Sequence, residues 1–268
     1  MKNNKGYKTQ PLSFNRRAVI ASASVTREKN AIHSFTEVDI TEPRRLIKEH
    51  AEKTGEKLSF TAYIVTCLAH TLKDHPHLNS FIKGNRLVIL DDVTVSVLIE
   101  RDINDEKVPE PVGIQGAQRK SYFEIQQEIR KAQKIQSDTL GSLSGQTWIR
   151  LIPKMLFKTF VRIADKNIRM AKLYGKVAVT AVGMFSREPM WFIPHSSATV
   201  LVSVGSMNHK VVEVDGQFVS REHLCLTVSF DHNIVDGAPA SRFMNQFLET
   251  IKNGQFLKIE LERTNKSV

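Results

Sequence analysis

From His223 to Asp231 the sequence alternates strictly: Leu224, Leu226, Val228 and Phe230 fall on one side, His223, Cys225, Thr227 and Ser229 on the other. A period of two marks a β-strand with unlike faces. The strand runs directly into His232, and Asp236-Gly237 opens a helix four residues later. That helix carries Phe243, Phe247, Leu248 and Ile251 on one face and stops at Gly254. Chain reversal at this point puts an imidazole at the rim of a sheet, within reach of substrate. An imidazole with its ordinary pKa of ~6.5 takes a proton from a thiol or hydroxyl at neutral pH. Asp236 either orients the loop through an ion pair or caps the helix.

The rest of the chain mixes helices and strands without regular βαβ alternation, which predicts an α+β sandwich. Asn15 to Val25 reads as a helix and Ala31 to Ile40 as a strand. Thr41, with Pro43 behind it, caps a helix that closes near Gly55. Ser59 to Asp74 is apolar nearly all round, the pattern of a buried helix. Strands follow at Arg86 to Leu90 and Asp92 to Glu100, and Ser121 with Glu124 is a capping box for a helix to about Ser137. Lys176 to Phe185 and Ala198 to Ser206 read as central strands, with a hairpin over Val211 to Val219 turning at Asp215-Gly216. With no repeat or linker, we read one domain over 11–258, a flexible basic arm over 1–10 and a tail over 259–268.

The net charge of +10 raises the question of nucleic acid. Its distribution argues against that partner: Gly141 to Lys176 holds eight basic residues and one acid, leaving +3 for the remainder. No zinc-finger spacing or RNA-binding aromatic motif accompanies the charge. Cys67 and Cys225 lie far apart, so no disulfide framework is expected. His75 and His77 flank Pro76 without a third ligand nearby, and no metal is expected. The N-terminus has lysines but no apolar segment after them, and no apolar run reaches the roughly 18 residues of a membrane span. A cytoplasmic protein is the expectation.

The run Ser229-Phe-Asp-His-Asn-Ile-Val-Asp-Gly-Ala238 resembles the active-site signature of the 2-oxo acid dehydrogenase dihydrolipoamide acyltransferases and, more distantly, of chloramphenicol acetyltransferase. Pro11 to Ala21, Phe35 to Thr41, Leu58 to Val65, His75 to Asn79 and Val179 to Phe185 resemble further landmarks of that family, in order. The resemblance implies a chloramphenicol-acetyltransferase-like two-layer α/β sandwich with a mixed sheet. It implies acyl transfer between coenzyme A and a thiol or hydroxyl acceptor, and a homotrimer whose sites lie between subunits. By the same resemblance His232 is the general base, Thr180 stabilises the oxyanion, and Asp236 forms a structural ion pair with Arg16, or with Arg17 one residue on. Asn233 stands where many members carry arginine, and with His195 it is a candidate for the substrate channel. No lipoyl domain or subunit-binding domain is visible, so a lipoyl group is expected only in trans, on a separate protein.

Residues 146–175 depart most from the family pattern. Arg150, Lys154, Lys158, Arg162 and Lys166 recur every four residues, with Trp148, Leu151, Ile152, Met155, Phe160 and Ile163 as the expected apolar face. This is a helical cover with a solvated basic edge or, alternatively, a peripheral membrane contact. The rival readings of the whole chain are an inactive trimeric scaffold and a membrane-surface module of the same fold. Cys67 and Cys225 read as packing residues. Gly183 is expected to let the Thr180 strand turn.

Overall fold

The computed structural model describes residues 6–7, 9, 11–27, 29–103, 106–134, 154–183, 186 and 188–266. The 1–10 arm and the first part of the 146–175 segment, with Arg150 and Trp148, fall largely or wholly outside these. The described elements are α1 (Phe14–Thr26), β1 (Ala31–Asp39), α2 (Thr41–Thr54), α3 (Phe60–Leu72), β2 (Ser80–Lys83), β3 (Arg86–Ile89), β4 (Val95–Ile103), β5 (Glu106–Ile114) and α4 (Tyr122–Lys134). They continue with α5 (Lys154–Asp165), α6 (Ile168–Tyr174), β6 (Val177–Ala181), β7 (Val200–Val214), β8 (Gln217–Asp231), α7 (Gly237–Asn253) and α8 (Gln255–Lys266).

Six strands form one mixed sheet in the order β1-β8-β7-β6-β4-β5; β6 runs parallel to both neighbours and the other pairs are antiparallel. One face carries the alternating residues singled out in the sequence. Leu224, Leu226, Val228 and Phe230 join Val177, Val179, Val200 and Val202 in a single core beneath α2, α3, α4 and α7. Phe243 is fully buried there, edge-on to Phe230 and stacked on Phe247. The all-round apolar helix α3 has Ala62 to Cys67 buried without exception, because sheet and helices enclose it. This is the two-layer α/β sandwich with a mixed sheet.

Local chemistry sets several boundaries. Asp215 (φ 50°) and Gly216 (φ 77°) turn β7 into β8 with both residues left-handed. The Ser121 amide meets Glu124 Oε2 at 2.7 Å, completing the capping box. The start of α2 differs from expectation: Thr41 lies inside the helix, and Asp39 Oδ1 accepts its N–H at 2.9 Å. Strand β5 holds Pro109 and Pro111, which the sequence reading passed over; it lies at the sheet edge, where a missing donor costs little. Residues 259–266 of the expected tail continue helix α8 as far as Lys266, and Glu260 within them is buried.

The opposite sheet face is covered by the segment 188–198. Met190 N–H donates to Ser206 Oγ at 2.8 Å, and Trp191 Nε1–H donates to the Thr36 carbonyl at 3.0 Å. Beneath it β7 bulges between Val204 and Met207. Here Gly183 has a packing role besides the turn, in which its carbonyl accepts the Ser186 N–H at 3.0 Å. A Cβ on Gly183 would lie 1.9 Å from the carbonyl carbon of Gly205, backbone against backbone. Gly183→Ala should therefore cost at least the roughly 1–3 kcal/mol of ordinary overpacking. Urea unfolding would read this as a lower midpoint, and an unchanged midpoint would contradict it.

Candidate active site

Strand β8 stops at Asp231 because its carboxylate turns the chain. Asp231 Oδ1 accepts the Asn233 amide N–H at 3.1 Å and Asn233 Nδ2 at 2.8 Å. The Asp231 carbonyl accepts the N–H groups of Ile234 and Val235, each at 3.0 Å. This turn lifts His232 to the rim, with 45% of its side chain exposed. His232 Nδ1 lies 2.9 Å from the Val235 carbonyl. A carbonyl only accepts, so Nδ1 carries the proton and the neutral ring presents a bare Nε2 lone pair. That is the tautomer a general base requires.

Asp236 Oδ1 stands 3.8 Å from the same Nδ1, and the carboxylate is 86% exposed. It occupies the N-cap position of α7 with no side-chain capping bond. Among the described residues no ion pair joins it to Arg16, which is exposed on α1, and the nearest ionisable partner of Asp236 is the His232 ring.

Thr180 lies in β6, only 6% exposed, on the sheet face away from the core. Thr180 pairs with Ser203, Ser203 pairs with Thr227, and Asp231 lies four residues beyond Thr227 along β8. At ~4.8 Å per strand and ~3.4 Å per residue, the Cα atoms of Thr180 and Asp231 are roughly 17 Å apart. A base and an oxyanion donor must each come within ~3 Å of the reacting groups. One chain therefore does not bring His232 and Thr180 together.

His195 lines a cleft of about 270 Å³ with Lys29, His33, Ser229 and Asp231, on the β1–β8 side of the turn. Asn233 is committed elsewhere: besides Asp231 it accepts from Asn30 Nδ2 at 2.9 Å. The sequence reading missed Lys29, Asn30 and Asp231, which brace the turn; only Asp231, one residue before the histidine, carried a signal. Cys67 is fully buried, and burial pushes its thiol pKa up, away from nucleophilic use. No group of three or more His, Cys, Asp or Glu among the described residues is placed to hold a metal.

The basic segment is less one-sided than its sequence. Lys158, Arg162 and Lys166 are exposed, but Ile163, expected on the apolar face, is 64% exposed beside them. Lys176 is buried, with Nζ 2.7 Å from Asp165 Oδ1 and 5.0 Å from the Phe81 ring, so it adds nothing to the surface charge. No helix among the described residues is long and apolar enough to cross a membrane.

The turn thus sets His232 at the rim of a mixed-sheet sandwich, with Nδ1 against the Val235 carbonyl. The family model described as 2-oxoacid dehydrogenases acyltransferase (catalytic domain) matches residues 4–144 and 158–259. The chain belongs to this family. The match is interrupted only over 145–157, so the second half of the 146–175 segment lies within what the family shares. The chain is similar to the dihydrolipoyllysine-residue acetyltransferase component of the pyruvate dehydrogenase complex of Staphylococcus epidermidis, 28% identical over 252 residues, covering 91% of this chain and 51% of that protein. The Bacillus subtilis counterpart is 27% identical, covering 91% and 50%. The chain thus spans about half the length of these relatives. Among solved structures it resembles a probable dihydrolipoamide acetyltransferase from Listeria monocytogenes, with TM-score 0.69 and 23% identity over 93% of this chain and 96% of that one. It also resembles the Azotobacter vinelandii dihydrolipoamide acetyltransferase, with TM-score 0.68 and 18% identity over 94% and 93%.

Proposed function

We propose that this chain transfers an acyl group between the thiol of coenzyme A and the thiol of a dihydrolipoamide. The observation that carries the reading is the 2.9 Å contact of His232 Nδ1 with the Val235 carbonyl, which selects the Nδ1–H tautomer in the neutral ring and leaves Nε2 bare. His232 Nε2 takes the proton of the acceptor thiol as its sulfur adds to the thioester carbonyl. Thr180, from a neighbouring subunit, donates a hydrogen bond from its hydroxyl to the oxyanion that forms. As the oxyanion collapses and the other carbon–sulfur bond breaks, His232 returns the proton to the departing sulfur.

The separation of the two residues within one chain supports a site shared between subunits, and the homotrimer implied by the family resemblance would supply it. Closed three-fold symmetry lets each His232 face the next subunit's Thr180 and gives three identical sites. Spacing adds support. The work on the A. vinelandii enzyme concerns the catalytic role of a serine, a histidine and an asparagine that lie 52 and four residues apart. Thr180, His232 and Asp236 carry the same two spacings, with a hydroxyl, an imidazole and an acid in place of the amide.

The test is acetyl transfer from acetyl-coenzyme A to free dihydrolipoamide, followed through acetyl-dihydrolipoamide formation, beside sedimentation of the purified protein. Saturable transfer by a species of three times the chain mass is expected. A monomer that transfers acetyl groups would overturn the shared site, and an inactive trimer would favour the scaffold.

A further inference from the structure

The His232 turn is held from outside by two residues that the reaction itself does not use. Lys29 Nζ lies 3.0 Å from Asp231 Oδ2, and both side chains are largely buried, at 18% and 5% exposure. The same ammonium donates to the Ser197 carbonyl, tying in the segment that carries His195. Asn30 grips the turn twice: its carbonyl accepts the His232 N–H at 2.6 Å, and its Nδ2 donates to Asn233 Oδ1 at 2.9 Å. Asn233 in turn donates from N and Nδ2 to Asp231 Oδ1. All four polar side chains thus converge on the single turn whose Val235 carbonyl fixes the His232 ring.

We infer that Lys29 and Asn30 are positioning residues for His232, acting through Asp231 and Asn233. This rests on the reading of His232 as the base. The Asp231 carboxylate has its oxygens divided: Oδ2 takes Lys29, and Oδ1 takes both donors of Asn233. Removing the ammonium leaves a buried carboxylate short of a partner, and the carboxylate recruits other donors or water. The turn then loosens, the Val235 carbonyl leaves the line of Nδ1, and the ring loses its preference for the Nδ1–H form. Asn233 has a specific part in this. An amide can accept from Asn30 and donate to Asp231 at once, whereas a guanidinium only donates. The Asn30–Asn233 pair is therefore matched to an amide directly after the histidine.

The experiment compares Lys29→Met, Lys29→Arg and Asn30→Ala in the full chain, with Arg45→Met on the outer face of α2 as a remote ion-pair control. Two readouts are taken: the ¹⁵N shifts of the His232 ring in histidine-labelled protein, and kcat and KM with acetyl-coenzyme A and dihydrolipoamide. Lys29→Met should move His232 from the Nδ1–H tautomer to a mixture and lower kcat by about 10–100-fold with KM little changed, the pattern of a misplaced catalytic group. Lys29→Arg should restore both readouts. Asn30 is exposed, so Asn30→Ala should fold normally and shift the same signals less far. Ring signals that stay in the Nδ1–H form in both Lys29→Met and Asn30→Ala would overturn the inference, even if activity fell. Should the wild-type protein transfer no acetyl group, the proposed function fails while the ring spectra still decide the positioning role.

Discussion

His232→Ala is expected to lower kcat for acetyl transfer by about 10²–10⁴-fold, the range for removal of a positioned general base. The substitution deletes the bare Nε2 and the Nδ1–H···O bond to Val235, and little else. The turn keeps Lys29–Asp231, both Asn233 bonds to Asp231, and the His232 N–H bond to Asn30. Because nearly half the ring is exposed, no large cavity results. Circular dichroism and the unfolding midpoint should therefore stay close to wild type while turnover collapses. Unchanged turnover in the folded variant would remove His232 from the reaction.

Thr180→Val should reduce kcat on the order of 10²-fold, the usual loss for one oxyanion donor. Valine keeps the branched shape that suits a buried central strand, so the register with Ser203 and the Val177 and Val179 core contacts survive. The distinguishing feature is where the loss falls. A donor that meets only the developing charge changes kcat and kcat/KM together, whereas one that holds the substrate's ground state raises KM. A variant with wild-type kcat and a raised KM would move Thr180 from catalysis to binding.

Much of this architecture was legible because its signals are local. The alternation over His223 to Asp231, the Asp215-Gly216 turn, the Ser121–Glu124 box and the Gly254 stop each depend on residues within a few positions of one another. His232 stood out for the same reason, as the residue where one period gave way to the next. Long-range facts were not legible. That Pro109 and Pro111 sit on an edge strand depends on which strands neighbour it. That Gly183 must be glycine depends on Gly205, 22 residues later in β7. The Lys29–Asp231 pair spans about three quarters of the chain, and no pattern around Lys29 announces it. The Asp236–Arg16 pair came from the family resemblance and not from any local pattern, and within one chain the ionisable group nearest Asp236 is the His232 ring.

The separation of His232 from Thr180 within one chain makes the shared site the central claim, and subunit mixing tests it most directly. His232→Ala and Thr180→Val chains are unfolded together in equal amounts, refolded and assayed for acetyl transfer. In a cyclic trimer every mixed assembly contains one interface where an intact His232 faces an intact Thr180. Random assembly should then restore roughly a quarter of wild-type activity, since three trimers in four are mixed and each has one working site of three. Activity no greater than that of the two variants refolded separately and then combined would contradict the account.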